Sequence, residues 1–190
     1  ETTAYKIAVQ AVPEIADKEL LPIYMPMVLD REQIEKDHRK GADSIEACLE
    51  QGKSVGFITL GDPTVYSTYS YVEKLVKADG FETGYISGIT SFCAAAATLG
   101  IPISEWQEPF HVIPAVHQLG DKLDLKGNYV LMKSGRQMAA VKEILANSGR
   151  KVTMVENCGL EDEHRYFSVD EIPDNTGYFS LIFAKENPEK

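Results

Sequence analysis

The 190 residues are enough to form one large domain or two small ones. Apolar residues make up 44% of the sequence and charged residues 25%, which are proportions typical of a globular protein. No apolar run approaches the roughly 20 residues that a membrane span requires, and no secretory leader is visible. We therefore expect a soluble, cytoplasmic protein with no membrane partner.

The net charge of −10 disfavours a nucleic-acid partner, because neutralising phosphates requires a basic face. The three cysteines, at 48, 93 and 158, lie far apart and form no CxxC pair, and the histidines are not in metal-ligand spacing. Neither a disulfide framework nor a metal held by protein ligands is expected. We expect the cysteines to be small buried apolar groups.

Taken in chain order, the hydrophobic periodicity alternates between strand and helix, which is typical of an α/β protein with a mainly parallel sheet. The first half is expected to contain a helix over 4–12, a strand over 20–27, a helix over 30–51, a strand over 55–60, a helix directly after it, a strand over 81–87 and a small-residue helix ended by Gly100. The stretch at 101–115, which contains three prolines, is expected to form extended connections.

The second half restarts the pattern. It is expected to contain a strand over 128–134, a helix over 136–149, a strand over 151–159 and two antiparallel strands within 165–169 and 177–184. The sequence therefore predicts two α/β lobes, one over 1–116 and one with a mixed sheet over 117–190. The first lobe opens on a helix, where a doubly wound lobe normally opens on a strand.

The sharpest local signal is Gly-Asp-Pro at 61–63, directly after the apolar run at 55–60. Glycine accepts backbone angles that other residues avoid and lets a ligand approach the main chain. Asp62 is a suitable N-cap and Pro63 suits the first helical position, so an ordinary strand-to-helix turn explains the motif. Ligands of open α/β sheets bind at the carboxyl ends of the strands, however, so we expect Tyr66 to lie beside such a crevice.

A second glycine turn begins the segment "SGITSFCAAAATLGIPIS" at residues 87–104. Thr90 or Ser91 can cap the helix that follows it. An alanine-rich helix packed on a sheet explains the four consecutive alanines. It does not explain why two glycine turns should fall at the same edge of one sheet.

Together these segments resemble the tetrapyrrole methylase superfamily. These are S-adenosylmethionine (SAM)-dependent methyltransferases of cobalamin and sirohaem synthesis, together with diphthine synthase. The family pattern of a GDP turn, a PGI[ST]S-type turn and a helix ending in LGIP corresponds here to residues 61–63, 88–91 and 99–102. Within the superfamily, "GDPTVYSTYSYV" and "GITSFCAAAATLGIPISE" are most similar to the precorrin-2 or cobalt-factor II C20-methyltransferases.

The resemblance implies two α/β lobes with SAM bound in the cleft between them, and a homodimer. The SAM contacts that it implies lie on the two glycine turns and on two strand ends of the second lobe. They are Gly61, Asp62, Pro63, Val65, Tyr66, Thr90, Ser91, Met132, Asn157 and Cys158.

The sequence departs from the family pattern in two places. Ser87 stands where the family has proline, although Gly88 still supplies the turn. The GxGPGDP-type loop with which family members open is absent from the 190 residues. We therefore expect a first lobe that is truncated at its start, which leaves the activity of this chain open.

The reaction implied by the resemblance is transfer of a methyl group from SAM to carbon 20 of precorrin-2 or cobalt-precorrin-2, with S-adenosylhomocysteine as the product. That carbon is electron-rich and can attack the methyl group directly, so no catalytic side chain is assigned. The acceptor carries many carboxylates, and we therefore expect Arg31, Lys133 and Arg136 to bind it. The mixed charges of "DREQIEKDHRK" are also typical of a solvated helix.

Two alternatives stay open at this stage. One keeps the fold but changes the acceptor to a protein side chain, as in diphthine synthase. The other is a SAM-binding or dimer-forming module that performs no catalysis.

Overall fold

A computed structural model describes residues 2–26, 28, 30–114, 119 and 123–187, except for the side chain of residue 136. The chain divides into two compact units, unit 1 over Glu1–Ile89 and unit 2 over Thr90–Lys190. The lobe boundary expected between residues 116 and 117 lies outside the described residues and stays a prediction. Within the described residues, no helix combines the length and the apolar character that crossing a bilayer requires.

Unit 1 contains three α-helices and a short 3₁₀ helix among its described residues. They are α1 (Thr3–Ala11), the 3₁₀ helix Pro13–Asp17, α2 (Arg31–Leu49) and α3 (Tyr69–Ala78). Asp30 caps α2, because its carboxylate accepts the backbone N–H groups of Glu32 and Gln33 at 3.0 and 3.4 Å. These helices follow the sequence prediction except at the start of α3.

The core of unit 1 lies between α2 and α3. Ala42 and Ile45 of α2 pack with Val72 and Val76 of α3, and all four side chains are buried. Phe57 packs against this cluster from the extended segment before the Gly-Asp-Pro turn. The apolar spacing of three and four residues on each helix produces this single stripe of contact.

The parallel sheet expected in the first half is not formed among the described residues of unit 1, and that prediction was wrong for residues 20–26, 55–60 and 81–87. The segments at 55–60 and 81–87 are held by side chains of α3 instead. Tyr69 Oη donates to the carbonyl of Gly84 at 2.7 Å, and Thr83 Oγ1 donates to the Glu73 carboxylate at 2.6 Å. At these two segments, side-chain hydrogen bonds and apolar packing therefore take the place of backbone hydrogen bonds between strands.

Unit 2 begins with α4 (Ser91–Leu99), which ends where Gly100 adopts a left-handed φ of 67°. Five strands and one further helix follow. They are β1 (Phe110–Pro114), β2 (Asn128–Met132), α5 (Met138–Asn147), β3 (Lys151–Glu156), β4 (His164–Tyr166) and β5 (Ser180–Lys185), with a 3₁₀ turn over Gly135–Gln137 before α5. The α/β class is confirmed.

The sheet of unit 2 has the strand order β1-β2-β5-β3-β4. β1 and β2 are parallel, whereas β5 runs antiparallel to both β2 and β3, and β4 runs antiparallel to β3. This confirms the mixed sheet predicted for the second half. The strand β1 corrects the prediction of extended connections over 101–115, since Phe110 to Pro114 pair in register with Asn128 to Met132.

The core of unit 2 lies on the face of this sheet that α5 covers. Leu131 and Ile182 from the central strands pack with Val141 and Leu145 of α5, and none of the four is more than 2% exposed. The helix α4 also contacts β3 and β5. The near-complete burial of β2, β3 and β5 explains their continuous apolar sequence.

Candidate functional site

The two glycine turns of unit 1 meet at their backbones. Gly61 adopts a left-handed φ of 72°, which favours glycine. A Cβ atom added to Gly88 would overlap the carbonyl oxygen of Gly61 and would lie 3.2 Å from its carbonyl carbon. The two turns therefore lie together, but the shared sheet edge that the sequence predicted is not formed among the described residues of unit 1. Bare main chain is required at position 88.

Asp62 joins the two turns through both carboxylate oxygens. Oδ1 accepts the N–H of Thr64 at 2.8 Å and also the Thr64 hydroxyl, while Oδ2 accepts the N–H of Gly88 at 2.9 Å. These three hydrogen bonds lower the pKa of the Asp62 carboxyl from its ordinary value of 3.8. The largest contribution comes from the Thr64 hydroxyl, and the N–H groups of Thr64 and Gly88 contribute less. Asp62 is 8% exposed, so its carboxylate is directed into the protein.

The expectation that Asp62 caps α3, with Pro63 at the first helical position, was wrong. Tyr66 has a left-handed φ of 52°, a conformation that an α-helix cannot contain. The helix therefore begins only at Tyr69, after a turn in which the N–H of Val65 donates to the carbonyl of Asp62 at 3.1 Å. The Tyr66 side chain is 52% exposed beside this turn.

Three predicted site residues of unit 2 lie at one edge of its sheet. Met132 pairs with Leu181 and Glu156 pairs with Ser180, both at the amino end of β5. Because β2 and β3 both run antiparallel to β5, their carboxyl ends lie at the same edge. Met132, Asn157 and the predicted substrate residue Lys133 are thereby brought to that edge.

The residues directly after these two strands have an unusual backbone. Lys133 has a φ of 62° and Asn157 a φ of 53°. Left-handed backbone at residues other than glycine is costly and concentrates at functional sites. The N–H of Asn157 donates to the carbonyl of Phe179 at 3.0 Å, and its side-chain amide donates to Asp162 at 2.7 Å.

The helix α4 supplies the remaining predicted contacts of unit 2. The Cys158 thiol donates to Thr98 Oγ1, at 3.4 Å, in the last turn of α4. Thr90 and Ser91 lie at the other end of this helix, so about 12 Å of helix separates Thr90 from Thr98. Within unit 2 the structure thus brings Cys158 beside α4 but does not bring it to Thr90.

The hydroxyl of Thr90 has no cap hydrogen bond, although Thr90 occupies the N-cap position as expected. Thr90 Oγ1 is buried and has no hydrogen-bond partner in the described part of the chain. A buried hydroxyl without a partner is uncommon, because its desolvation is not compensated. It is available to a polar ligand.

The cations of α2 are largely paired within their own unit. Arg31 contacts Glu35 at 3.2 Å, with its side chain 92% exposed. Arg39 donates to Glu46, Asp79 and Asp43, and these three hydrogen bonds, the strongest from Glu46, raise the pKa of its guanidinium despite opposing desolvation. The solvated-helix interpretation therefore fits Arg39, while the side chain of Arg136 lies outside the described residues.

One expectation about the cysteines was wrong, because Cys93 is exposed. Cys48 and Cys158 are partly buried. Glu156, Gly135 and Gly177 pack together and were not nominated from the sequence. Gly135, three residues after the end of β2, was the available signal.

The family model of the tetrapyrrole (corrin/porphyrin) methylases matches residues 2–173. A probable cobalt-precorrin-2 C(20)-methyltransferase of Methanocaldococcus jannaschii is 31% identical over an alignment of 183 residues, and the match covers 94% of this chain and 78% of that protein. The cobalt-precorrin-2 C(20)-methyltransferase of Salmonella typhimurium is 28% identical over an alignment of 173 residues, and the match covers 87% of this chain and 73% of that protein.

Solved structures show the same fold. A cobalt precorrin-4 methyltransferase of cobalamin biosynthesis has a TM-score of 0.67 at 19% identity, covering 85% of this chain and 82% of that one. The uroporphyrin-III C-methyltransferase of Thermus thermophilus, complexed with S-adenosylhomocysteine, has a TM-score of 0.58 at 16% identity. This match covers 80% of this chain and 73% of that one. With the glycine turns and the extent of the family match, these likenesses identify the chain. It belongs to the tetrapyrrole (corrin/porphyrin) methylases and is a SAM-dependent methyltransferase.

Proposed function

We propose that the chain methylates carbon 20 of precorrin-2 or cobalt-precorrin-2 in cobalamin biosynthesis, using SAM. The observation that carries this proposal is the 31% identity to a probable cobalt-precorrin-2 C(20)-methyltransferase over 94% of the chain. A match to a diphthine synthase of Pyrobaculum islandicum spans only 37% of the chain, so the corrinoid substrate is favoured over a protein substrate.

Each unit, taken by itself, offers groups that support SAM binding. In unit 1, the contact between the Gly61 and Gly88 turns leaves main chain without side chains, which a nucleoside can approach closely. The exposed ring of Tyr66 lies beside this turn. In unit 2, the unpartnered Thr90 hydroxyl and the left-handed turn at Asn157 offer polar groups to a ligand.

Bound SAM supplies an electrophilic methyl group. The residues of this chain are proposed to hold donor and acceptor in line, and orientation of this kind can supply about 7–11 kcal/mol of the barrier. The attacking carbon of the tetrapyrrole is itself electron-rich, so no side chain has to generate the nucleophile. A proton leaves that carbon after the new carbon–carbon bond has formed.

The decisive measurement is a calorimetric titration of the chain with S-adenosylhomocysteine, followed by assays with precorrin-2 or cobalt-precorrin-2 and with a protein acceptor offered in parallel. We expect binding, and methylation of the tetrapyrrole only. Binding without methylation of either acceptor would favour a non-catalytic SAM-binding module. Methylation of the protein acceptor would instead favour a diphthine synthase-like activity. Sedimentation of the same sample tests the homodimer that we propose with this function.

Arg31, Lys133 and Arg136 are proposed as contacts for the carboxylates of the tetrapyrrole. Replacing Arg31 with alanine is expected to raise the KM for the tetrapyrrole by about tenfold, since an arginine–carboxylate hydrogen bond is charge-assisted. The affinity for S-adenosylhomocysteine is expected to be unchanged. Steady-state kinetics with each substrate varied in turn measure both effects.

Lys36 provides the matched control for Arg31. It is also an exposed cation of α2 and is paired with Glu32 at 2.6 Å. Lys36→Ala is expected to leave both constants unchanged. If Arg31→Ala leaves the tetrapyrrole KM at the level of Lys36→Ala, Arg31 has no part in substrate binding.

A further inference from the structure

Two glycines of unit 2 bring distant turns into backbone contact at the sheet edge that carries Met132. A Cβ atom added to Gly135 would overlap the carbonyl oxygen of Gly177 and would lie 2.7 Å from the carbonyl oxygen of Thr176. The bend at 176–177 therefore packs directly against the turn that follows β2. Position 135 therefore does not tolerate a side chain pointing into this contact.

Two hydroxyls in these turns contribute no hydrogen bond to the contact. The hydroxyls of Ser134 and Thr176 are both buried and have no hydrogen-bond partner within the described residues. Ser134 itself is 0% exposed. The backbone groups of the bend still require hydrogen bonds, because close packing of two polar backbones without them is unfavourable.

Glu156 supplies one of these hydrogen bonds from the last position of β3. Its Oε1 accepts the backbone N–H of Gly177, and the Gly177 carbonyl in turn accepts the hydroxyl of Ser180 at 2.7 Å. The other oxygen, Oε2, is 3.5 Å from the hydroxyl of Tyr166. Hydrogen bonds to a carboxylate are roughly twice as strong as those between neutral groups.

We propose that Glu156 is a positioning residue, whose carboxylate holds the Gly177 bend against the turn after β2 and thereby fixes the backbone of Met132 and Lys133 for the methyl donor. This inference rests on the proposed function, because Met132 matters only if SAM binds there. Glu156 acts through these turns and does not itself touch the ligand. It also directly precedes Asn157 in the chain.

The neighbouring phenol supports this arrangement. Burial, and then the charge and hydrogen bond of Glu156, raise the pKa of Tyr166 above its ordinary value of 10.0. Replacing Glu156 with glutamine would remove the contribution of its charge and lower the phenol pKa, which ultraviolet absorbance of tyrosinate measures.

The test compares Glu156→Ala, Glu156→Gln and the control Glu171→Gln. Glu171 also accepts a backbone N–H through its carboxylate, from Phe167 at 2.7 Å, but lies away from Met132. We expect Glu156→Ala to raise the Kd for S-adenosylhomocysteine by about tenfold. Glu156→Gln, whose amide oxygen can still accept the Gly177 N–H, should recover most of the affinity, and Glu171→Gln should bind as the wild type does.

Amide hydrogen exchange separates this inference from the proposed function. In Glu156→Ala, the Gly177 amide should lose its protection and the Lys133 amide should exchange faster, whether or not a ligand is present. Unchanged exchange at both amides would overturn the inference, as would an unchanged Kd in Glu156→Ala. A wild-type chain that fails to bind S-adenosylhomocysteine would refute the proposed function alone, since the exchange experiment still decides the role of Glu156.

Discussion

Gly88→Ala is expected to abolish measurable binding of S-adenosylhomocysteine, or to weaken it by about 10²-fold. The added methyl group would overlap the carbonyl oxygen of Gly61, which belongs to the backbone and cannot rotate away. The two turns would have to separate, at a cost of about 1–3 kcal/mol for overpacking. Calorimetric titration and chemical unfolding measure the two effects.

Gly84→Ala is the matched control for this substitution. Gly84 lies in the same extended segment, is also exposed, and has no atom within 4 Å of an added Cβ. We expect it to bind the ligand normally and to be at least as stable as the wild type, since alanine restricts the unfolded chain. Similar affinities for the two variants would mean that the contact between the turns does not shape the ligand site.

Asp62→Asn is expected to weaken S-adenosylhomocysteine binding by about tenfold or more, because a small displacement of groups that position a ligand is costly. The carboxylate accepts three hydrogen bonds, from the N–H and hydroxyl of Thr64 and from the N–H of Gly88. An amide presents a donor in place of one acceptor oxygen, so at least one bond must be lost. The control is Asp79→Asn, which removes a carboxylate bound to Arg39 at the end of α3.

The stability lost in Asp62→Asn should become smaller as the pH falls. The pKa of Asp62 is lowered in the folded chain from an ordinary value of 3.8, so the folded state favours the ionised form. Its stabilising contribution is then fully present above pH 3.8 and is lost as the pH falls below 3.8 through the folded-state pKa. The difference in unfolding free energy between wild type and variant should therefore shrink in acid. A constant difference would contradict this role for the carboxylate.

The sequence predicted unit 2 well because its strands carry their own signals. The segments containing Leu131 and Ile182 are short continuous apolar runs, which are typical of buried strands, and the helix between β2 and β3 ends at Gly149 as expected. The strand β1 was missed because prolines at 109 and 114 bracket it. Proline is compatible with strand ends, so its presence there does not exclude pairing.

Unit 1 was less predictable because local signals were overridden by contacts from distant residues. Asp62 and Pro63 have the propensities of a helix start. The Asp62 carboxylate nevertheless accepts the N–H of Gly88, which lies 26 positions further along the chain. No local pattern reveals such a partner. Tyr66, Lys133 and Asn157, which the resemblance or the charge argument nominated, all have left-handed backbone. Their contact with a ligand stays a prediction.

The hydrogen bond from Gly88 to Asp62 closes a loop of 26 residues that contains the whole of α3. Closing such a loop costs chain entropy, which the packing of α3 on α2 must offset before the two turns can meet. We therefore expect the turn pair to form late in the folding of unit 1. A ligand bound at the two turns would stabilise the closed loop. Local unfolding of α3 would then be slower while the ligand is bound.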